Sequence, residues 1–260
     1  SCTTGYPPND TSCSIDTPNR CGTKKIDCTK LPLWGAGSCT EGRCLASLCQ
    51  YGLSPKEGSC EVTAGTNLRF GRYMYNGDDT EPTTQISWRV LDIKAGQYLL
   101  LSEQVIDVKP FDYANQIDWG TSSMRAWLNG QFISNAFDAN ELSRLVATRL
   151  NDVGTEDKVF LLSKADIVQY MPSVTMRRSL PTPYALTKRP YVSVAIALIP
   201  GLQSYSADGT CTSPCYSLWW SRTPKPDENQ VWHVHCFGDF YGHAAKEIVT
   251  GVRPAIWVKL

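Results

Sequence analysis

The sequence predicts an α+β domain, residues 63–260, preceded by a small disulfide-rich module, residues 1–62. Three observations carry that expectation. Eight of the eleven cysteines fall in the first sixty residues, and none lies between Glu61 and Thr210. From about Val62 onward, short runs with strand-like alternation recur. Short helical segments with capping residues stand among them, without the regular strand–helix alternation of a doubly wound sheet.

The first module is rich in Gly, Pro, Ser, Thr and Asn, and too small to offset its ordering entropy with an apolar core. Its cysteines are Cys2, Cys13, Cys21, Cys28, Cys39, Cys44, Cys49 and Cys60. A reducing compartment would leave such a set unpaired, and the cluster has neither His nor repeated C-x-x-C pairs to suggest zinc. These eight, with Cys211 and Cys215 as a local staple, are the expected disulfide cysteines. Eleven is odd. If the first eight pair among themselves, one thiol of the C-terminal trio is left over; if Cys2 carries a lipid, ten remain for bridges. Ser1-Cys2 resembles a processed N-terminus, so the expected location is secreted or at the cell surface. Asn9-Asp10-Thr11 fits an N-glycosylation acceptor.

Asn67–Tyr75 alternates with Leu68, Phe70, Tyr73 and Tyr75 as a strand, and Tyr75–Asp79 has turn chemistry. Ile86–Ile93 and Gln97–Leu101 read as strands joined through Lys94-Ala95-Gly96. Thr121 or Ser122 caps a helix through Leu128, stopped at Asn129-Gly130. Asp138–Val146 reads as a second helix and Val159–Leu162 as a buried strand. Ser163 caps a third helix, with Asp166 at the capping-box position. Residues 172–190 hold four prolines and read as irregular. Tyr216–Ser221, Gln230–Phe237 and Val252–Val258 complete the strands, with Asp227-Glu228-Asn229 as a turn.

Lys plus Arg and Asp plus Glu are both 25, so no basic excess points to nucleic acid or an anionic membrane. No apolar run is long enough to span a bilayer. No phosphate-binding glycine loop, G-x-S-x-G elbow or H-E-x-x-H is present, so no cofactor and no enzymatic activity are expected.

Several stretches then occur in order: Phe70-Gly71-Arg72-Tyr73, Trp88-Arg89-Val90-Leu91-Asp92 and Met124-Arg125-Ala126-Trp127-Leu128-Asn129. Asp157-Lys158-Val159-Phe160-Leu161-Leu162-Ser163, Arg177-Arg178, Trp219-Trp220-Ser221-Arg222-Thr223-Pro224 and Gly251-Val252-Arg253-Pro254-Ala255-Ile256-Trp257 follow. Together they resemble a bacterial family of extracellular domains of unknown function. The closing stretch is similar to the ends of formylglycine-generating-enzyme-like and C-type-lectin-like domains. That resemblance implies an irregular α+β lectin-like fold whose C-terminal strands display a ligand surface. Gly37–Cys60 resembles growth-factor-like cysteine-rich repeats.

The hairpin before the closing motif carries all three histidines. Trp219, Trp220, Arg222, Trp232, His233, His235, Phe237, Asp239, Phe240, Tyr241 and His243 are the candidate ligand-binding residues. Aromatic and imidazole side chains offer contact area at low entropy cost, with polar tips. The competing and preferred reading covers both Trp219 and Trp220, one by the core and one by a loop, and pairs Arg222 and Arg253 with carboxylates as structural groups. His233 and His235, spaced i, i+2, face one side of a strand. With His243 or Cys236 that spacing can hold zinc or copper, but a solvent-facing hairpin is the expectation and no metal is assigned. Cys211 and Cys215 would match the copper-bound thiol pair of formylglycine-generating enzymes only as reactive thiolates near basic groups or a metal, and a structural staple is the expectation. The expected role is a binding protein or adhesin with a glycan or protein ligand outside the cell. A structural subunit that self-assembles through the same patch is the alternative.

Overall fold

The computed structural model describes residues 21, 26–28, 30–31, 33–40, 43–74, 84–188 and 216–260. The chain divides into two compact units, Ser1–Val62 and Thr63–Leu260.

In the first unit, β1 (Trp34–Thr40) and β2 (Arg43–Cys49) form an antiparallel hairpin. Disulfides Cys21–Cys39, Cys28–Cys44 and Cys49–Cys60 span 18, 16 and 11 residues. Loops of that size each remove about 3 kcal/mol of unfolded-state entropy in the chain-entropy view. That contribution stands in for a core in which, among the described residues, Leu33, Trp34, Ala46 and Leu53 are the buried side chains besides cysteine. Cys2, Cys13, Cys211, Cys215, Asn9-Asp10-Thr11 and the Tyr75–Asp79 turn lie outside the described residues.

The second unit is mostly β, which corrects the α+β, lectin-like expectation. Its strands are β3 (Asn67–Tyr73), β4 (Thr84–Lys94), β5 (Gln97–Ser102), β6 (Asp107–Val108), β7 (Leu145–Val146), β8 (Thr148–Leu150), β9 (Thr155–Asp157) and β10 (Val159–Phe160). They continue as β11 (Trp219–Lys225), β12 (Gln230–Val234), β13 (Phe240–His243), β14 (Gly251–Val252) and β15 (Ala255–Val258). One sheet runs β10-β15-β5-β4-β3, with β7 also on β15; a second runs β13-β12-β11-β14-β6; β8 and β9 form a separate ribbon.

The helices are α1 (Ser123–Trp127), α2 (Ile133–Ala136), α3 (Ala139–Arg144), α4 (Lys164–Tyr170), α5 (Val174–Arg177) and α6 (Pro183–Thr187). The longest of them, α4, has seven residues. The caps at Ser122 and Ser163 were legible, and capping boxes form at Asp138/Glu141 and Ser163/Asp166. A cap, however, marks where a helix starts and says nothing of its length. The first helix does not stop at Asn129-Gly130: a π-helical turn, Leu128–Phe132, carries it on into α2. Asn129 is engaged elsewhere, donating Nδ2 to Val159 O (2.8 Å) and accepting from the Lys158 and Val159 amides. Two other spans shorten: the helix expected to Val146 ends at Arg144, and the strand expected to Leu162 ends at Phe160. The 172–190 stretch, expected to be irregular, contains α5 and α6.

Between β4 and β5, Ala95 (φ 48°) and Gly96 (φ 74°) both take left-handed backbone, closing the two-residue hairpin at Lys94↔Gln97. The closing motif splits. β14 pairs with β11 and β6, β15 pairs with β5, β10 and β7, and Arg253-Pro254 carries the chain from one sheet to the other. Arg253 is buried there. It donates Nε and Nη2 to Ser102 O (3.0 and 2.9 Å) and stacks on Trp219, 4.8 Å from the ring centre. Among the described residues its Nη1 has no hydrogen-bond partner, and no helix is long and apolar enough to cross a membrane.

Candidate functional site

The candidate residues converge on β11, β12 and β13, and the pleat divides them between two faces. Trp219 pairs with Val234 and Trp220 with His233, so the adjacent tryptophans point to opposite sides. Across β12–β13, His233 pairs with Tyr241, Trp232 with Gly242 and Val234 with Phe240. One face therefore carries Trp220, His233, His235, Tyr241 and His243; the other carries Trp219, Trp232 and Phe240.

Four candidates are corrected. Trp219, Trp220, Arg222 and His233 are buried, so none offers a ligand surface in the folded chain. Trp219 Nε1 donates to Arg177 O and Trp220 Nε1 to Lys109 O, both at 2.9 Å. Arg222 donates Nε and Nη2 to the Asp152 carboxylate at 3.0 and 2.9 Å, donates Nη1 to Leu161 O, and meets Asp166 at 2.9 Å. All three behave as a protein core requires: indole N–H groups find carbonyls and a buried guanidinium is paired.

On the histidine face, His233 lies 4.7 Å from His243 and 6.4 Å from His235 between ring centres. Trp220 is 6.2 Å from His233, and Tyr241 is 5.1 Å from His235. Burial pushes the His233 imidazole down to about 3, helped by the charges its two histidine neighbours would carry. Burial lowers His235 and His243 as well, so the face is uncharged at neutral pH. His243 Nδ1 meets Thr250 Oγ1 at 2.9 Å, and His233 Nδ1 has no hydrogen-bond partner among the described residues. The three imidazoles do not bring three donor atoms to one point. Among the described residues that closeness occurs only for Cys21, Cys28 and Cys44, whose sulfurs are in disulfides. Cys236 is free and buried, and burial pushes its thiol up to about 11, so it is protonated and a poor nucleophile at neutral pH.

The turn joining β12 to β13 is held from beneath by the end of α5. His235 N donates to Asp239 O (2.7 Å) and Gly238 N to His235 O (2.8 Å). Arg177 donates to Gly238 O and Arg178 to Phe237 O. Gly238 has φ 92°, and a Cβ there would stand 2.0 Å from Val174 O, so only glycine fits. The strand expected to reach Phe237 consequently ends at Val234. Tyr241 is 52% exposed and Asp239 is exposed, while Trp232, His235, Phe237, Phe240 and His243 are half-buried.

Sequence reasoning missed the cations on the other face. Lys164, at the start of α4, holds Nζ 3.4 Å from the Trp232 ring centre and 5.3 Å from that of Phe240. Lys225 Nζ stands 4.8 Å from the same indole, and the Arg177 guanidinium 4.8 Å from Phe240. Arg177 was visible as part of a motif, but nothing in the sequence tied it or Lys164 to the hairpin.

A disulfide-linked module followed by a mostly-β domain with a half-exposed aromatic edge hairpin is the class these observations define. The chain belongs to the family described as Domain of unknown function (DUF6273), which matches residues 95–260. No curated protein and no solved structure matches the chain.

Proposed function

We propose that this is an extracellular binding protein whose ligand surface is the β12–β13 hairpin. The observation that carries this reading is the grouping of Tyr241, Trp232, His235, Phe237 and Phe240 at a sheet edge with their rings partly open to solvent. Half-buried aromatics fixed in place lose little entropy on contact, which suits recognition. The motif arginines support it from the other direction. Arg125 on Asp157, Arg222 on Asp152 and Arg253 on the Ser102 carbonyl are internal clamps. Three disulfides in the first unit support a location outside reducing compartments.

The test is a screen of glycans and surface proteins with the whole chain, repeated with a Phe240→Ala, Tyr241→Ala double variant. Binding lost by at least tenfold, with the near-ultraviolet circular dichroism retained, supports the reading. Binding kept at full strength sinks it.

A second reading has one observation in its favour. Among the described residues, β13 pairs only with β12, so its outer edge is open to another strand. A surface-layer or filament subunit would use that edge between copies. Sedimentation at high concentration decides it, since a chain that stays monomeric is no such subunit.

A further inference from the structure

We infer that the Trp232–Phe240 face of the hairpin binds the carboxylate of an acidic sugar residue between Lys164 and Lys225. This rests on the hairpin being the ligand surface and assigns the class of its ligand.

The charges on this face do not balance. Lys225 has a carboxylate partner in Glu228. Lys164, Arg177 and Arg178 form no ion pair among the described residues. Arg177 is spent on three carbonyls, Met171, Pro172 and Gly238, which satisfy its donors but not its charge. Two ammonium groups thus converge on one indole with a single carboxylate between them. Partial burial, and after it the Lys225 charge, lower the Lys164 ammonium from its ordinary value. An arriving carboxylate relieves that repulsion and supplies the missing counter-charge.

The lysines are placed by the fold. Lys164 leaves β10 through the Ser163 cap, and its backbone amide donates to Thr223 Oγ1 (2.9 Å) on β11. Lys225 reaches the indole because residue 242, opposite Trp232, is glycine. A Cβ at Gly242 would lie 2.9 Å from Lys225 Cδ and 2.0 Å from Gln230 Oε1. Beside Lys164 runs an open groove of about 660 Å³ with Val168, Gln169, Ala165 and Thr223 in its walls. Ser163 and Asp152 complete the lining, so it is apolar with one side-chain amide, two hydroxyls and a carboxylate that Arg222 already neutralises. Sugar rings present C–H faces and hydroxyls, and match such a lining where an acidic peptide, with a backbone to satisfy, does not.

The probe is hexagalacturonate, with its fully methyl-esterified form as the uncharged counterpart and hexaglutamate as the peptide counterpart. Titration calorimetry on the whole chain at low and high salt reads all three. The expected result is binding of hexagalacturonate that weakens with salt and falls at least tenfold in Lys164→Gln. Gly242→Ala, which displaces Lys225, should weaken it severalfold. The ester should bind at least tenfold more weakly. Circular dichroism checks that each variant is folded, and Lys225→Gln serves in place of Gly242→Ala if that chain misfolds. No binding, equal binding of the ester, or full binding by Lys164→Gln overturns the inference. Preference for hexaglutamate overturns the sugar assignment. If the screen yields neutral ligands sensitive to Phe240→Ala, Tyr241→Ala but not to Lys164→Gln, the hairpin still binds and only the ligand class fails. If ligands are insensitive to all these variants, both fall.

Discussion

At the scale of single residues, the buried polar groups decide the chemistry. Arg253 is fully enclosed, and burial pushes its guanidinium down to about 9, still charged at neutral pH. Its donors satisfy the Ser102 and Glu103 carbonyls at the sheet junction. Arg253→Met strips the Ser102 carbonyl of both its guanidinium donors, while Glu103 O keeps Ser179 Oγ, and should cost about 3 kcal/mol, read as a drop in the urea midpoint. Arg253→Lys should recover little of it, because lysine lacks the planar fork. His233 sets a pH dependence. In the folded chain it stays neutral down to about pH 3, while the unfolded chain takes up a proton near 6.5. Stability is therefore intact above pH 6.5 and declines as pH falls towards 3, by about 1.4 kcal/mol per unit for this group alone. Thermal melts from pH 7 to 4 should show that slope, and His233→Phe should reduce it. A smaller slope from His235 and His243 should persist, since both are lowered too.

At the scale of elements, the hairpin depends on α5. Gly238→Ala meets both a left-handed backbone and Val174 O, so the turn must leave its seat. The expected loss is about 2 kcal/mol or more, with Tyr241 and His235 resonances shifted in a two-dimensional spectrum. What was legible in the sequence followed the same division between local and distant contacts. Lys94–Gln97 was readable because its turn is made by its own two residues. His233 and His235 on one face followed from strand alternation. Asn129-Gly130 was misread because turn chemistry can be borrowed: the Asn129 amide serves β10, thirty residues on. The shortness of α4 and α5 was invisible because a cap fixes where a helix starts and not where it ends. Trp219 and Trp220 could not be resolved either, since both faces of β11 are covered by segments distant in sequence. Lys164 and Arg177 lie more than fifty residues before Trp232, so no local pattern could bring them to it.

At the scale of the whole molecule, the two units are held by different physics. Among the described residues, Ser1–Val62 has three disulfides and little core, whereas Thr63–Leu260 carries an extensive apolar interior and no disulfide. Reduction should therefore unfold the first unit alone. With a reductant present, amide hydrogen exchange should accelerate across Trp34–Cys49 and stay slow at Leu99–Leu101 and Ala255–Val258. Equal acceleration in both would show that the second unit leans on the bridges.

The passage of the chain through Arg253-Pro254 also has a consequence in time. β15 lies between β10 and β5, inside its sheet, yet it is reached only after residue 250. Until that segment emerges from the ribosome, β5 has β4 on one side and nothing on the other, and Trp219 lacks the guanidinium that covers it. A growing chain must therefore wait, with two half-built sheets, for its last described strand before the domain can close. A chain cut at 250 should be recognised by the cell as unfinished even though every candidate binding residue is already present.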